Sequence, residues 1–189
     1  MQALRQLISR PALRYTQLSH IQRCLQTSSI LDMPIKVGDS LPSVELMKGT
    51  PNDKVDISKY AGKIVIFGVP GAFTPTCSKD HAPAFVNSVD ALKAKGVASV
   101  ICVSVNDPFV MTAWGENLDK GNKIEFLADT CGDFTKAIGL ELDATPLLGN
   151  IRCKRFSMVV DDGKVKALSV EPDGTGLTCS RAQDILKMV

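Results

Sequence analysis

Paired metal ligands are missing from this sequence. It has only two histidines, His20 and His81, and none of its six cysteines (Cys24, Cys77, Cys102, Cys131, Cys153 and Cys179) forms a C-x-x-C pair. A structural zinc site is therefore not expected. Aromatic residues make up 5% of the chain, and no apolar run approaches the about 20 residues needed to span a bilayer. Net charge is small as well: the formal value is +2, which does not suggest nucleic acid or anionic membrane as a partner. A length of 189 residues with 44% hydrophobic content allows one sizeable core. Such a chain does not need a secreted disulfide scaffold, so its cysteines are read as redox-active or buried.

Acidic residues are absent before Asp32. Residues 1–32 carry Arg5, Arg10, Arg14 and Arg23, interleaved with Leu4, Leu7, Ile8 and Leu13 and with several serines. This is the composition of a mitochondrial transit peptide, and it lacks the compact apolar centre of a secretory signal. The segment holds +3 of the net +2, so residues 33–189 sum to −1. Cys24 would leave with the leader. Met33 stands as an alternative start that would yield an untargeted, cytoplasmic form. The terminal Lys187-Met188-Val189 does not match an S-K-L-type peroxisomal address.

What is present is a concentrated piece of local grammar. Ile64 to Val69 is an apolar run that predicts a buried strand, and Pro70-Gly71-Ala72-Phe73-Thr74-Pro75-Thr76-Cys77 follows it directly. Beyond lies Ser78 to Lys95, with Phe85, Val89 and Leu92 at helical spacing. Thr74 suits an N-cap and Pro75 a first helical position, which puts Cys77 in the first turn. Backbone N–H groups there lack intrahelical partners, and the helix dipole favours a thiolate. A buried, inert cysteine is the plain alternative, but core packing has no need of two prolines, a glycine and two threonines around one thiol. Pro83, inside this helix, predicts a kink or an irregular first turn.

Elsewhere, Pro34 to Lys63 reads as irregular, with strands at Ser43 to Leu46 and Val55 to Ile57. Val97 to Val105 and Ile124 to Ala128 read as strands. Asn106-Asp107-Pro108 opens a helix to about Lys120, in which Trp114 packs, and Asp133 to Ile138 is a short helix. Leu140 to Asn150 reads as a loop. Phe156 to Val160 and Val165 to Val170 flank the hairpin signal Asp161-Asp162-Gly163. Ser180 with Gln183 suggests a capping box for a last helix through Val189. Alternating strands and helices imply an α/β fold, a mixed central sheet with helices on both faces, in one domain from residue 33 to 189.

Pro70, Thr74 and Cys77 fit the pattern P-x-x-x-T-x-x-C. With SVNDPFV, KRFSMVV and VEPDGTGLTCS in order downstream, the stretch from about Pro34 to Val189 resembles the peroxiredoxins, specifically their atypical two-cysteine, peroxiredoxin-5 type. The resemblance implies a thioredoxin-like fold and a thiol peroxidase acting on hydrogen peroxide, alkyl hydroperoxides and peroxynitrite. It implies that Cys77 becomes a sulfenic acid, that Cys179 resolves it as an intramolecular disulfide, and that thioredoxin is the external reductant. No cofactor or metal is implied, and a monomer or weak homodimer is expected. By the same resemblance Thr74 hydrogen-bonds the thiolate and a peroxide oxygen, Arg155 supplies fixed charge and forked donors, and Pro70 shields the sulfur. Thr76 departs from the glycine common at its position, which implies a narrower pocket.

The residues alone leave other readings open. Arg155 could be a solvated charge, with Arg152 and Lys154 equally available. Cys179 could be an inert thiol at a helix start. Cys102, on an apolar strand, reads as buried, while Cys131 and Cys153 read as unreactive, as surface thiols or as an auxiliary pair. His81, four residues after Cys77, reads as a minor structural residue. A redox sensor without turnover is the main functional alternative; a disulfide exchanger is disfavoured by the missing C-x-x-C. A disulfide needs Cα atoms within about 7 Å, so the turn after Cys77 or the loop from Asp173 to Cys179, hinged at Gly174 and Gly176, is expected to rearrange.

Overall fold

The computed structural model describes residues 33–189; the arginine-rich leader and Cys24 lie outside the described residues. The strand predicted before Cys77 is β3 (Lys63–Gly68), and it runs through the middle of the sheet. It can be apolar from Ile64 onward because both of its faces are covered. Ile64 and Ile66 point into one core with Ile101, Phe134, Phe156 and Met158. Val65, Phe67 and Val69 point into the other, with Cys77, Phe85, Val89, Met111 and Trp114.

Around β3 the seven-stranded sheet has the order β2-β1-β5-β4-β3-β8-β9. Here β1 is Glu45–Lys48, β2 Thr50–Asp56, β4 Val97–Ser104, β5 Glu125–Ala128, β8 Phe156–Asp161 and β9 Lys164–Val170. Strands β3, β4 and β5 are parallel, with antiparallel neighbours on each side. Helices α1 (Ala82–Ala94), α2 (Pro108–Leu118) and α5 (Ala182–Met188) contribute to the core that contains Cys77. Helix α3 (Asp133–Ala137) contributes to the opposite one. This is the mixed α/β sheet, with helices on both faces, that the alternation of elements predicts.

Local signals explain most boundaries. The Asp107 side chain accepts a hydrogen bond from the Val110 amide, and Pro108 sits in the first turn of α2. Asp161 pairs with Lys164, so Asp162 and Gly163 form a two-residue hairpin turn with φ of 45° and 72°. Pro83 follows an irregular first turn, one of the two outcomes expected of it. Residues Cys77–His81 form a π-turn in which the Ala82 amide donates to the Cys77 carbonyl, and Pro83 falls in the first turn of α1. The wider turn accommodates the missing proline N–H. It also leaves both Cys77 and His81 buried.

Three expectations are corrected. Residues 34–63 are less irregular than expected: β1 and β2 form a hairpin turning at Gly49, whose φ is 76°. The stretch read as a loop from Leu140 to Asn150 contains β6 (Glu141–Asp143) and the single-turn helix α4 (Thr145–Leu148), and β6 pairs with the unpredicted β7 (Ile151–Cys153). The Ser180–Gln183 capping box does not form. Helix α5 begins after Arg181 without a side-chain cap, and the Ser180 hydroxyl is used on Glu171 instead.

The end of β3 is closely packed. A methyl group on Gly68 would overlap the ring of Phe156, which is fully buried and paired with Gly68 across the sheet. Overpacking of this kind destabilises by about 1–3 kcal/mol. Gly68→Ala is therefore expected to lower the denaturation midpoint by a corresponding amount in urea unfolding, without a change in slope.

Candidate active site

The site is assembled where the parallel strands end. After β3, the Pro70–Phe73 loop is tied to the end of β4 by side chains. Asn106 Oδ1 accepts from the Ala72 amide at 3.0 Å and from the Ser104 hydroxyl at 2.8 Å, and Ser104 also donates to the Val69 carbonyl. Pro70 and Gly71 are buried, and Phe73 adopts φ of 62°, an uncommon conformation for a residue with a side chain. The helix starts at Pro75, with the Ser78 amide donating to the Thr74 carbonyl. Thr74 is thus at the predicted boundary, but its hydroxyl is not a cap: it donates to the Gly71 carbonyl at 2.8 Å. No hydrogen bond joins Thr74 to the Cys77 sulfur among the described residues. A hydroxyl committed as donor to Gly71 keeps its lone pairs free to accept a proton from a ligand O–H.

Cys77 is 0% exposed. Its sulfur meets Nη1 of Arg155 at 3.4 Å, across 78 residues of sequence. Arg155 is itself only 2% exposed and makes no ion pair among the described residues. Its backbone amide donates to the Gly174 carbonyl and its Nε to the Thr175 carbonyl at 3.0 Å. Asp173 in turn holds Thr175 and Gly176 through their amides. Gly174 is required at this turn, since its φ is 77° and a methyl group there would press on Leu142 at 2.9 Å. The structure separates Arg155 from its neighbours: Arg152 is half-buried and donates to the Val105 carbonyl, and Lys154 does not reach the sulfur.

His81 carries more of the site than its sequence context indicates. It is fully buried and meets the stacked pair Phe67 and Phe85 edge-to-face, with centroids at 5.2 and 5.3 Å. Its Nε2 lies 2.9 Å from the Ser180 carbonyl and its Nδ1 3.2 Å from Arg155 Nη1. A carbonyl only accepts and a guanidinium only donates, so the ring is the neutral Nε2–H tautomer. Burial, reinforced by the Arg155 charge and opposed by the Ser180 carbonyl, lowers its pKa to about 4. The ring therefore connects Arg155 to the segment that carries Cys179.

That segment is gathered on Glu171, which is 1% exposed. Its carboxylate accepts from the amides of Thr178, Cys179 and Ser180 and from the hydroxyls of Thr178 and Ser180, at 2.7–2.9 Å. Burial opposes its ionisation, but these donors outweigh it and hold the carboxyl well below the usual range. Glu171 was not singled out in the sequence. Cys179 is partly exposed, and its thiol donates to the Val170 carbonyl at 3.5 Å. Burial and then the Glu171 charge raise its pKa.

All five described cysteines are free thiols. Cys102 is fully buried, as its apolar strand predicts, and burial pushes its pKa well above the usual range. Cys153 is also fully buried, with its thiol pushed up to about 12, so it is not a surface thiol. Cys131 is exposed.

Residues 36–186 match the family profile named Redoxin. Peroxiredoxin-2C of Oryza sativa subsp. japonica is 46% identical over 159 residues, covering 82% of this chain and 98% of that protein. The mitochondrial peroxiredoxin-2F of the same plant is 48% identical over 130 residues, covering 69% of this chain and 66% of its own length. Among solved structures, peroxiredoxin 5 from Alvinella pompejana superposes with a TM-score of 0.75 at 39% identity, covering 82% of this chain and 97% of that one. The family profile spans the Cys77 strand and helix together with Arg155 and the hairpin that follows it, and the chain belongs to the redoxin family, within it to the peroxiredoxins, the thiol peroxidases.

Proposed function

We propose that the chain reduces hydrogen peroxide, alkyl hydroperoxides and peroxynitrite at Cys77, and that Cys179 and a thioredoxin-type dithiol complete the cycle. The observation that carries this reading is the buried Arg155 guanidinium, 3.4 Å from the buried Cys77 sulfur and without a carboxylate partner among the described residues. Guanidinium stays charged at any working pH. In a water-poor pocket its field is directed at the sulfur and at an oxygen bound beside it.

Attack by the Cys77 sulfur on one peroxide oxygen breaks the O–O bond. The sulfur gains that oxygen as a sulfenic acid, and the other oxygen leaves as water from hydrogen peroxide, as an alcohol from an alkyl hydroperoxide, or within nitrite from peroxynitrite. Charge builds on the leaving oxygen, where Arg155 Nη1 and the Cys77 amide are the nearby donors. Thr74, oriented by Gly71, accepts the peroxide proton and so positions the substrate. Pro70, buried where the loop leaves β3, shields the sulfur from water in this reading. An apolar rim suits organic hydroperoxides: Phe73 is 54% exposed next to Thr74, and Leu148 lies against Gly71.

Cys179 then displaces the hydroxyl of the sulfenic acid as water, forming the Cys77–Cys179 disulfide. A dithiol of the thioredoxin type reduces that bond, so the thiols perform the chemistry without a metal or organic cofactor. The arginine-rich leader supports delivery to mitochondria, as does similarity to a relative named mitochondrial. A start at Met33 would leave a cytoplasmic form. A monomer or weak homodimer suffices for this cycle, because both cysteines belong to one chain.

Three outcomes test the reading. Cys77→Ser is expected to abolish peroxide consumption with the fold retained, whereas Cys179→Ser keeps the first oxidation and loses thioredoxin-coupled turnover; a coupled NADPH assay separates the two. Among the described residues, Cys131 is the exposed thiol left to explain cycling in Cys179→Ser, should it occur. Arg155→Lys keeps the charge but loses the fork that bonds sulfur, His81 and Thr175 together. The rate constant for Cys77 oxidation is expected to fall by roughly 10²–10³, and a change below threefold would contradict the role given to Arg155.

The third concerns pH. His81 titrates near 4 in the folded protein and near about 6.5 when unfolded. The unfolded chain takes up the proton first, so this contribution is complete above the unfolded value and is lost as pH falls toward 4. Between pH 7 and 5 the loss amounts to about 2 kcal/mol. Urea unfolding at the two pH values should show it in the parent protein and a much smaller loss in His81→Gln.

A further inference from the structure

We propose that Glu171 is a positioning residue that latches the Cys179 segment in its closed place and so sets how long oxidised Cys77 waits before the disulfide forms. The inference rests on the reading above that Cys179 resolves Cys77.

In the closed form the two sulfurs are occupied separately. Cys77 faces Arg155, and Cys179 faces the Val170 carbonyl. The two are unbonded, and each must leave its present partner for a disulfide to form. On the Cys179 side, the segment is held chiefly by one group. Five donors from three consecutive residues, Thr178, Cys179 and Ser180, converge on the Glu171 carboxylate. The Ser180 carbonyl is fixed to His81 as well, and His81 to Arg155. Hydrogen bonds to an ionised group are roughly twice as strong as neutral ones, and a buried carboxylate stripped of its donors is strongly disfavoured. The segment therefore leaves as a unit or not at all.

The same carboxylate also restrains the thiol chemically. Resolution balances as Cys77–SOH plus Cys179–SH giving Cys77–S–S–Cys179 plus water: the S–O bond breaks, the S–S bond forms, and the Cys179 proton leaves with the hydroxyl. The attacking species is the Cys179 thiolate, and Glu171 adds its negative charge against that ionisation. Moving the segment off Glu171 removes the tether and the repulsion in one step. While the latch stays closed, a second peroxide can add a further oxygen to Cys77, giving a sulfinic acid and water. Latch strength thus divides the sulfenic acid between resolution and irreversible oxidation.

The test uses the reduced full chain, wild type and Glu171→Gln, mixed with hydrogen peroxide, acid-quenched over time and measured by intact mass and peptide mapping. Gln keeps the size but cannot accept from all five donors. Disulfide formation is expected to accelerate about tenfold in Glu171→Gln. The initial oxidation of Cys77 should change by less than about threefold, and the sulfinic fraction at high peroxide should fall correspondingly. Ser180→Ala, which removes one donor and keeps the carbonyl to His81, should move resolution in the same direction by a smaller factor. Amide hydrogen exchange should quicken at Thr178, Cys179 and Ser180 but not in β3 or β4. A general loss of structure would slow both steps and loosen the whole sheet, so it cannot imitate acceleration of one. Resolution that is unchanged or slower in both variants overturns the latch. Absence of any Cys77–Cys179 link in the wild type overturns instead the resolving role of Cys179.

Discussion

A guanidinium that cannot lose its proton is buried beside Cys77, and the site is arranged around that fact. Burying a charge is costly unless hydrogen bonds and opposite charge meet it. Here the bonds come from three directions: the Thr175 carbonyl, the His81 ring and the Cys77 sulfur. Each depends on another element. The carbonyl depends on the Asp173 turn and on Gly174, the ring on the π-turn and its aromatic neighbours, and the sulfur on the helix that Pro75 begins. No carboxylate competes among the described residues, so the charge remains available to the sulfur and to a departing oxygen.

The neutral state of His81 follows from the same arrangement. A protonated ring would have no lone pair for Arg155 and would set two positive charges 3.2 Å apart. Burial and the neighbouring cation exclude that form until the pH is well below neutral. The ring also makes the peroxidatic pocket and the Cys179 segment parts of one network. That network couples a centre built on parallel strands to a C-terminal segment held chiefly by the Glu171 carboxylate. The proposed two-cysteine cycle would use both properties: a fixed geometry for the peroxide and a removable one for resolution.

Much of this was legible in the sequence where the cause is local. The apolar run of β3, the prolines and threonine before Cys77, and Asp162-Gly163 each act over a few residues, and each element formed where it was read. The family resemblance separated Arg155 from Arg152 and Lys154, and burial gives the physical counterpart of that choice. The roles of His81 and Glu171 were not legible. His81 meets Arg155 from 74 residues away and Ser180 from 99, so its spacing from Cys77 revealed only that both could share a face. Ser180 had two uses, a cap for α5 or a donor to Glu171, and the buried carboxylate won over a local capping preference. Strands β6 and β7 are three residues each, too short for a period to register.

The central claim is that the pocket singles out Cys77 among the free thiols. It is tested most directly by mixing the reduced chain from Met33 with one equivalent of hydrogen peroxide, quenching within milliseconds, alkylating and mapping every cysteine. The account predicts that Cys77 is lost first and that a Cys77–Cys179 link follows, with Cys102 and Cys153 untouched. Slow oxidation spread over several cysteines would show that Arg155 and the helix start do not activate Cys77, and would contradict it.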